Sequence, residues 1–227
     1  MFEAWRRPYR GIPVFIWKLL FIQLLMNAGH FMAIPLLAVH LNSNLKLGAA
    51  SIGTVLTIHL LSARLLPAVT GPLADWLGPR GLMIAGLLVR AIGLFGVAYF
   101  QSLAVLSVMA FFMGAGTSLY ESAVYGIFAR QPKNIAPKIF IINNQALNAG
   151  VIVGPLVGTF VATLGTTYAF AASGAAFALL AVWTTAIDVT KEVTFEHVNI
   201  WKSIKTVAVD RTFILLFLTT LPWWFLF

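Results

Sequence analysis

Gly71-Pro72-Leu73-Ala74-Asp75-Trp76-Leu77-Gly78-Pro79-Arg80-Gly81 is a short polar knot between two long apolar segments. It predicts a membrane helix that ends near Asp75, a turn through Gly78 and Pro79, and a second helix beginning after Arg80. A connection of about five residues leaves two helices side by side and antiparallel. Glycines suit such a turn because they carry no Cβ to clash. The spacing sets the Asp75 carboxylate and the Arg80 guanidinium at the membrane surface, within pairing reach.

The rest of the chain fits a membrane setting. Hydrophobic residues make up 60% and charged ones 10%, against about 25% charged in soluble domains. A soluble domain has no means of hiding that much apolar surface. Apolar stretches of roughly twenty residues recur along the whole length, the signature of membrane-crossing helices. The 18 glycines and 10 prolines suit helices that pack closely and bend in a bilayer. There is no cysteine, which excludes a disulfide framework and a cysteine-based metal site. No metal-ligand spacing, catalytic triad or phosphate loop occurs. We therefore expect no metal, no cofactor and no enzymatic activity. The runs Gly114-Ala115-Gly116 and Gly93/Gly96 read as helix-packing faces, because no strand–helix context surrounds them.

The apolar segments are predicted as helices over Ile12–Leu41, Ala49–Leu77, Arg80–Phe100, Leu103–Ala129, Pro137–Leu164 and Thr167–Ile187, with Pro35 kinking the first and Pro67 inside the second. Met1–Arg10 is a basic, aromatic, interfacial start and not a cleaved leader, since the apolar run after it is too long. The fold class is thus an all-α membrane protein, a six-helix bundle followed by the start of a seventh helix. Residues 1–188 form the bundle. Residues 189–211 form a loop in which Ile200, Trp201, Ile204, Val207 and Ala208 trace an interfacial amphipathic helix. Residues 212–227 open the seventh helix.

Lysine and arginine set the orientation. Arg6, Arg7, Arg10, Arg80, Arg130, Lys133, Lys138, Lys191, Lys202, Lys205 and Arg211 fall in one set of loops, and only Lys46 in the other. The expectation is a multi-pass protein of the plasma (inner) membrane with the N-terminus and the Gly71–Gly81 hairpin in the cytoplasm. The net charge of +8 then faces anionic lipid, and no nucleic-acid partner is implied.

Charges inside a membrane are expensive and mark functional candidates. Arg64 lies eleven residues from Asp75, Arg90 ten from Arg80 and Glu121 nine from Arg130. All three therefore sit roughly 14–17 Å deep. One reading has Glu121 and an arginine neutralising each other and pinning helices together. The other has Glu121 taking and releasing a proton, tuned by the nearby arginine. Gln23, Asn27 and His30 share one face of the first helix, either lining a substrate path or bonding to a neighbouring helix. His59 lies nearer the outer surface and ranks lower.

Two motifs carry a family resemblance. The hairpin resembles the signature loop Gly-x-Leu-Ala-Asp-Arg-x-Gly-Arg-Arg between the second and third helices of the major facilitator superfamily. Gly150-Val-Ile-Val-Gly154-Pro155-Leu-Val-Gly158-Thr159 resembles the antiporter motif Gly-x-x-x-Gly-Pro-x-x-Gly-Gly of its proton-driven drug exporters. Leu119-Tyr120-Glu121 and Arg90-Ala91-Ile92-Gly93 are similar to segments of bacterial multidrug-efflux members. The resemblance covers the N-terminal half of such a transporter. Trp76 and Pro79 stand where the loop pattern has basic residues, Thr159 replaces a glycine, and Ala110 stands where the family's fourth helix carries an arginine. Arg64 and Arg90 are the available substitutes.

The resemblance implies secondary active transport by alternating access, with proton-coupled export of small amphipathic compounds. The partners implied are the lipid bilayer, a small-molecule substrate and protons. Gly71, Asp75, Gly78 and Arg80 would form the cytoplasmic gate, Asp75 capping a helix of the other bundle. Gly150, Gly154, Pro155 and Gly158 would present a small-residue face to that bundle. The chain is expected to be part of a longer transporter that supplies the missing C-terminal bundle. A half-size protein completed by a second copy is the rival reading. An uptake or lysolipid-type carrier of the same fold, and a non-transporting half-size membrane subunit, are the alternative functions.

Overall fold

A computed structural model describes residues 11–187, together with 209–211, 214, 215 and 219. The first helix, α1 (Val14–Val39), continues into a π-helical turn at His40–Asn44. Together they make one apolar span of 31 residues. Pro35 lies inside α1, and the helix runs on through it. Membrane helices tolerate proline because neighbouring groups satisfy the backbone it frees.

The second apolar segment is two helices, not the single one expected over Ala49–Leu77. They are α2 (Ala49–Leu65) and α3 (Pro67–Leu77). Between Ala49–Leu65 and Pro67–Ala74 the axis bends by 42°. Pro67 has no N–H to give back to Ala63, and its ring crowds that carbonyl. It starts a new helix, in the first turn of which no donor is required.

Gly78 alone separates α3 from α4 (Pro79–Tyr99). Its φ of 83° and ψ of 142° belong to a region that side chains other than glycine's rarely enter. The reversal therefore takes one residue where about five were expected, and α4 starts at Pro79, ahead of Arg80. Gly71 and Gly81 are helical and add nothing to the turn. The remaining helices are α5 (Leu103–Ala129), α6 (Ala136–Ala162) and α7 (Thr166–Thr185). Their ends lie within two residues of the sequence expectation. Among the described residues α1, α4, α5, α6 and α7 are long and apolar enough to cross a membrane, and the bent α2–α3 pair makes a sixth span.

α4 packs against α5 and α7, α1 against α6 and α7, and α2 and α3 against α5. Small residues allow the closest of these contacts. A Cβ on Gly86 would stand 2.7 Å from the Tyr120 nitrogen, and one on Gly116 would stand 2.6 Å from the Arg90 nitrogen. The α4 and α5 backbones thus touch directly, next to the charged layer described below.

The glycine face of α6 requires a correction. Gly150, Gly154 and Gly158 are buried, but α1 of the same bundle covers them. A Cβ on Gly150 would meet Asn27 Cβ at 2.8 Å, one on Gly154 would meet the Ala28 carbonyl oxygen at 2.6 Å, and Gly158 faces Met32. Three glycines in one stripe admit whichever backbone is nearest, and α1 is already there. Ile152, Leu156 and Phe160, at 67%, 68% and 75% exposure, form the outward face of α6 instead.

The interfacial start Met1–Arg10, the amphipathic helix expected over Ile200–Ala208, and all of the segment 212–227 except positions 214, 215 and 219 lie outside the described residues.

Candidate functional site

The centre of the bundle is organised by Arg90 on α4, which is 2% exposed. Its guanidinium donates to Thr117 Oγ1 on α5 and to His30 Nδ1 on α1. It also lies over the Phe177 ring on α7, with Cζ 4.6 Å from the ring centroid. One side chain therefore ties three other helices together. The Thr117 hydroxyl donates a hydrogen bond to the Met113 carbonyl, 2.9 Å away, which leaves its oxygen lone pairs to accept from the arginine. A guanidinium only donates, so Nδ1 of His30 accepts and the proton of neutral His30 sits on Nε2. The buried Nε of Arg90 has no hydrogen-bond partner among the described residues.

Around this tie lie the other polar groups. The Glu121 carboxylate on α5, partly buried, interacts electrostatically with both Arg64 and Arg90. The three charges placed at one depth by counting along the sequence thus share one field. Arg64 on α2 is exposed on this bundle. The His59 ring stands 6.2 Å from that of His30, centroid to centroid. His59 also bonds the Ala110 backbone, while its Nδ1 has no partner among the described residues. It belongs to the layer, although the sequence ranks it lower.

The polar face of α1 divides. His30 joins the arginine. Gln23 donates to Asn143 Oδ1 on α6 at 3.0 Å, and Asn27 donates to the Leu147 carbonyl. These two hold α6 in place, beside the glycine stripe. Gln23 is fully buried, and its Oε1 has no partner among the described residues. The Tyr125 hydroxyl meets both Asn143 and Gln23.

At one end of the bundle, Arg80 donates to the Thr185 carbonyl at the C-terminal end of α7. A cation there offsets the partial negative charge of the last carbonyls. The expectation of an Asp75–Arg80 pair rests on the Asp75 side chain, which is outside the described set. Beside the hairpin, Thr70 on α3 bonds the hydroxyls of Ser118 and Ser122, both at 2.8 Å.

Sequence reasoning missed Thr117, Asn143, Phe177 and His40. Asn143 and Thr117 carry a signal, being polar positions on apolar helices opposite the polar face of α1. Phe177 carries none. His40 lies at the other end of the bundle and clamps three elements. Its ring bonds Thr166 Oγ1 at 2.7 Å and the Val97 carbonyl at 3.2 Å.

Residues 19–227 match a family model described as Major Facilitator Superfamily. An uncharacterized MFS-type transporter of Mycobacterium tuberculosis (strain ATCC 25618 / H37Rv) is 31% identical over 182 residues, 80% of this chain and 42% of the relative. Multidrug resistance protein MdtH of Photorhabdus laumondii is 23% identical over 202 residues, 88% and 50% of the two chains. The crystal structure of a POT family transporter in complex with 5-aminolevulinic acid superposes with a TM-score of 0.65 at 18% identity, over 94% of this chain and 48% of that one. The chain thus spans about half the length of the curated relatives it matches.

Proposed function

Because this chain belongs to the major facilitator superfamily, we propose that it forms one bundle of a secondary transporter that exports small amphipathic compounds, driven by protons. The observation that carries this reading is the charged layer on α1, α2, α4 and α5. His30, Arg90 and Glu121 meet within a bundle whose spans are mostly apolar, and Arg64, exposed on this bundle, shares their electrostatic field. Membrane proteins rarely hold such groups at that depth without using them.

In this reading Glu121 carries the proton, since it is the only carboxylate in the middle of a span. Arg90 and Arg64 supply the positive field in which it sits, and His30 passes any change at Arg90 to α1. Gln23 and Asn27 hold α1 and α6 at the edge of the substrate path. A second bundle, from the same polypeptide or from another copy, completes the path, and the two rock about it. The hairpin of Gly71, Asp75, Gly78 and Arg80 forms part of the gate, braced by the bond from Arg80 to α7. The lysine and arginine distribution supports a cytoplasmic position for this hairpin.

The test is efflux from cells expressing the protein with Glu121→Gln. Efflux driven by a proton gradient should fall to background while the amount in the membrane stays unchanged. A variant that still extrudes substrate against its gradient at the normal rate removes Glu121 from proton coupling and leaves it a packing residue.

A further inference from the structure

A second feature lies on the far side of α1 from the charged layer. At roughly 100° per residue, Gln23, Asn27 and His30 occupy one face of α1, and Lys18, Phe21, Leu25 and Met32 occupy the opposite one. α6 and α7 flank this second face, both seated closely on α1. α6 does so through its glycines, against Ala28, Phe31 and Met32. α7 does so at Gly29, whose carbonyl accepts from Ser173 at 2.8 Å and where a Cβ would stand 3.0 Å from the Phe177 ring. Between these two seats a groove of about 390 Å³ remains, with Leu25, Met32, Val157, Ala176, Leu179 and Trp183 among its walls.

The groove is lined by apolar side chains, so water entering it would find too few partners to stay. It has room for about a dozen methylene-sized groups at roughly 30 Å³ each. One end is marked by two aromatic rings, Phe21 and Trp183, which meet edge to face at 5.5 Å and are 45% and 40% exposed. Half-exposed tryptophan near a helix end is the usual furniture of headgroup depth. Lys18, exposed and one turn before Phe21 on the same face of α1, stands at that end too. It lies four residues into the helix, where a long cationic side chain reaches the interface readily.

We propose that this groove binds a phospholipid of the surrounding bilayer, one acyl chain lying between α6 and α7 and the anionic headgroup held by Lys18. The site is independent of the transport reading, since it shares no polar residue with the charged layer. Charge complementarity selects the headgroup, and the dry walls select the chain. A lipid seated there would hold α6 and α7 at a set separation on α1.

The absence of cysteine in the chain allows single labels. The full chain carrying Ala176→Cys in the groove is labelled with bimane and placed in phosphatidylcholine vesicles. Brominated phosphatidylglycerol or brominated phosphatidylcholine is added as the quencher. Ala175→Cys, exposed at the same depth but turned out of the groove, is the reference. At Ala176→Cys the anionic lipid should be preferred about fivefold, the factor one basic residue confers near an anionic headgroup. At Ala175→Cys the two lipids should quench equally. Lys18→Gln should remove the preference at Ala176→Cys, and Lys18→Arg should keep it. Equal quenching by both lipids at Ala176→Cys overturns the proposal, as does a preference that survives Lys18→Gln. Quenching weaker at Ala176→Cys than at Ala175→Cys with both lipids also overturns it, since protein rather than lipid would then fill the groove.

Discussion

The guanidinium of Arg90 on α4 donates to Nδ1 of His30 on α1, joining two helices that lie sixty residues apart in sequence. The same guanidinium holds Thr117 on α5. A planar fork of fixed donors suits this task, since it presents separate N–H groups to two acceptors on different helices.

Arg90→Lys should therefore cost more than a change of one cation for another suggests. A lysine keeps the charge but gives up one of the two bonds, leaving a buried acceptor unmet. The expected loss is about 1–3 kcal/mol of stability, read from denaturant unfolding of the reconstituted protein. His30→Ala combined with Arg90→Lys should cost clearly less than the sum of the two single changes, since contacting residues do not add. Strict additivity would mean that the bond carries no coupling.

Gly154→Ala should destabilise the seat of α6 on α1. The new methyl would stand 2.6 Å from the Ala28 carbonyl and 2.8 Å from Phe31 Cβ, and overpacking of this kind costs about 1–3 kcal/mol. Gly53→Ala is the matched control, because a Cβ there meets nothing within 4 Å. It should be neutral or mildly stabilising, as alanine favours a helix. Equal thermal unfolding of the two variants would show that the α1–α6 contact is looser than described.

Gly78→Ala separates backbone strain from crowding. A Cβ at Gly78 would meet nothing within 4 Å, yet its φ is 83°. The penalty should be about 1–3 kcal/mol from conformation alone, and it should appear as faster proteolysis at the α3–α4 hairpin. Unchanged proteolysis would show that the hairpin can turn another way.

Pro67→Ala should let α2 and α3 approach a single helix. The alanine restores the donor to Ala63 and removes the ring clash. Spin labels on cysteines placed in the first turn of α2 and the last turn of α3 should move apart, as the 42° bend opens. An unchanged distance would assign the bend to packing against α5 instead of to the proline.

Much of the architecture was legible in the residues. Each span is a long apolar run closed by glycine, proline or charge, and such runs have few ways to satisfy their backbone except as helices. The charged layer was legible for the same reason. Arg64, Arg90 and Glu121 lie at similar distances from the charged ends of their helices, and helical rise converts that count into a common depth. What the count omits is direction. It does not say that Arg90 reaches His30 and Thr117, or that Gln23 and Asn27 turn to α6. The role of Phe177 exists only once α7 stands beside α1 and α4, and the partner of Asn143 only once α6 stands beside α1.

The glycine-bearing stretches show the division most clearly. Gly78 is a local matter: its φ of 83° is open to a residue free of Cβ, and the proline after it opens the next helix. Gly150, Gly154 and Gly158 are not local. Their spacing determines that some backbone will come close, because three missing side chains leave a shallow trough along one stripe. It does not determine which backbone. α1 fills the trough in the folded bundle, and Ile152, Leu156 and Phe160 are thereby turned outward. Sequence alone determined most of the helices and the spacing of the charges along them, since these follow from short-range backbone chemistry and the cost of polarity in hydrocarbon. The tertiary structure decided the partners, since the choice among apolar faces of similar energy is made by shape when all the helices are packed together.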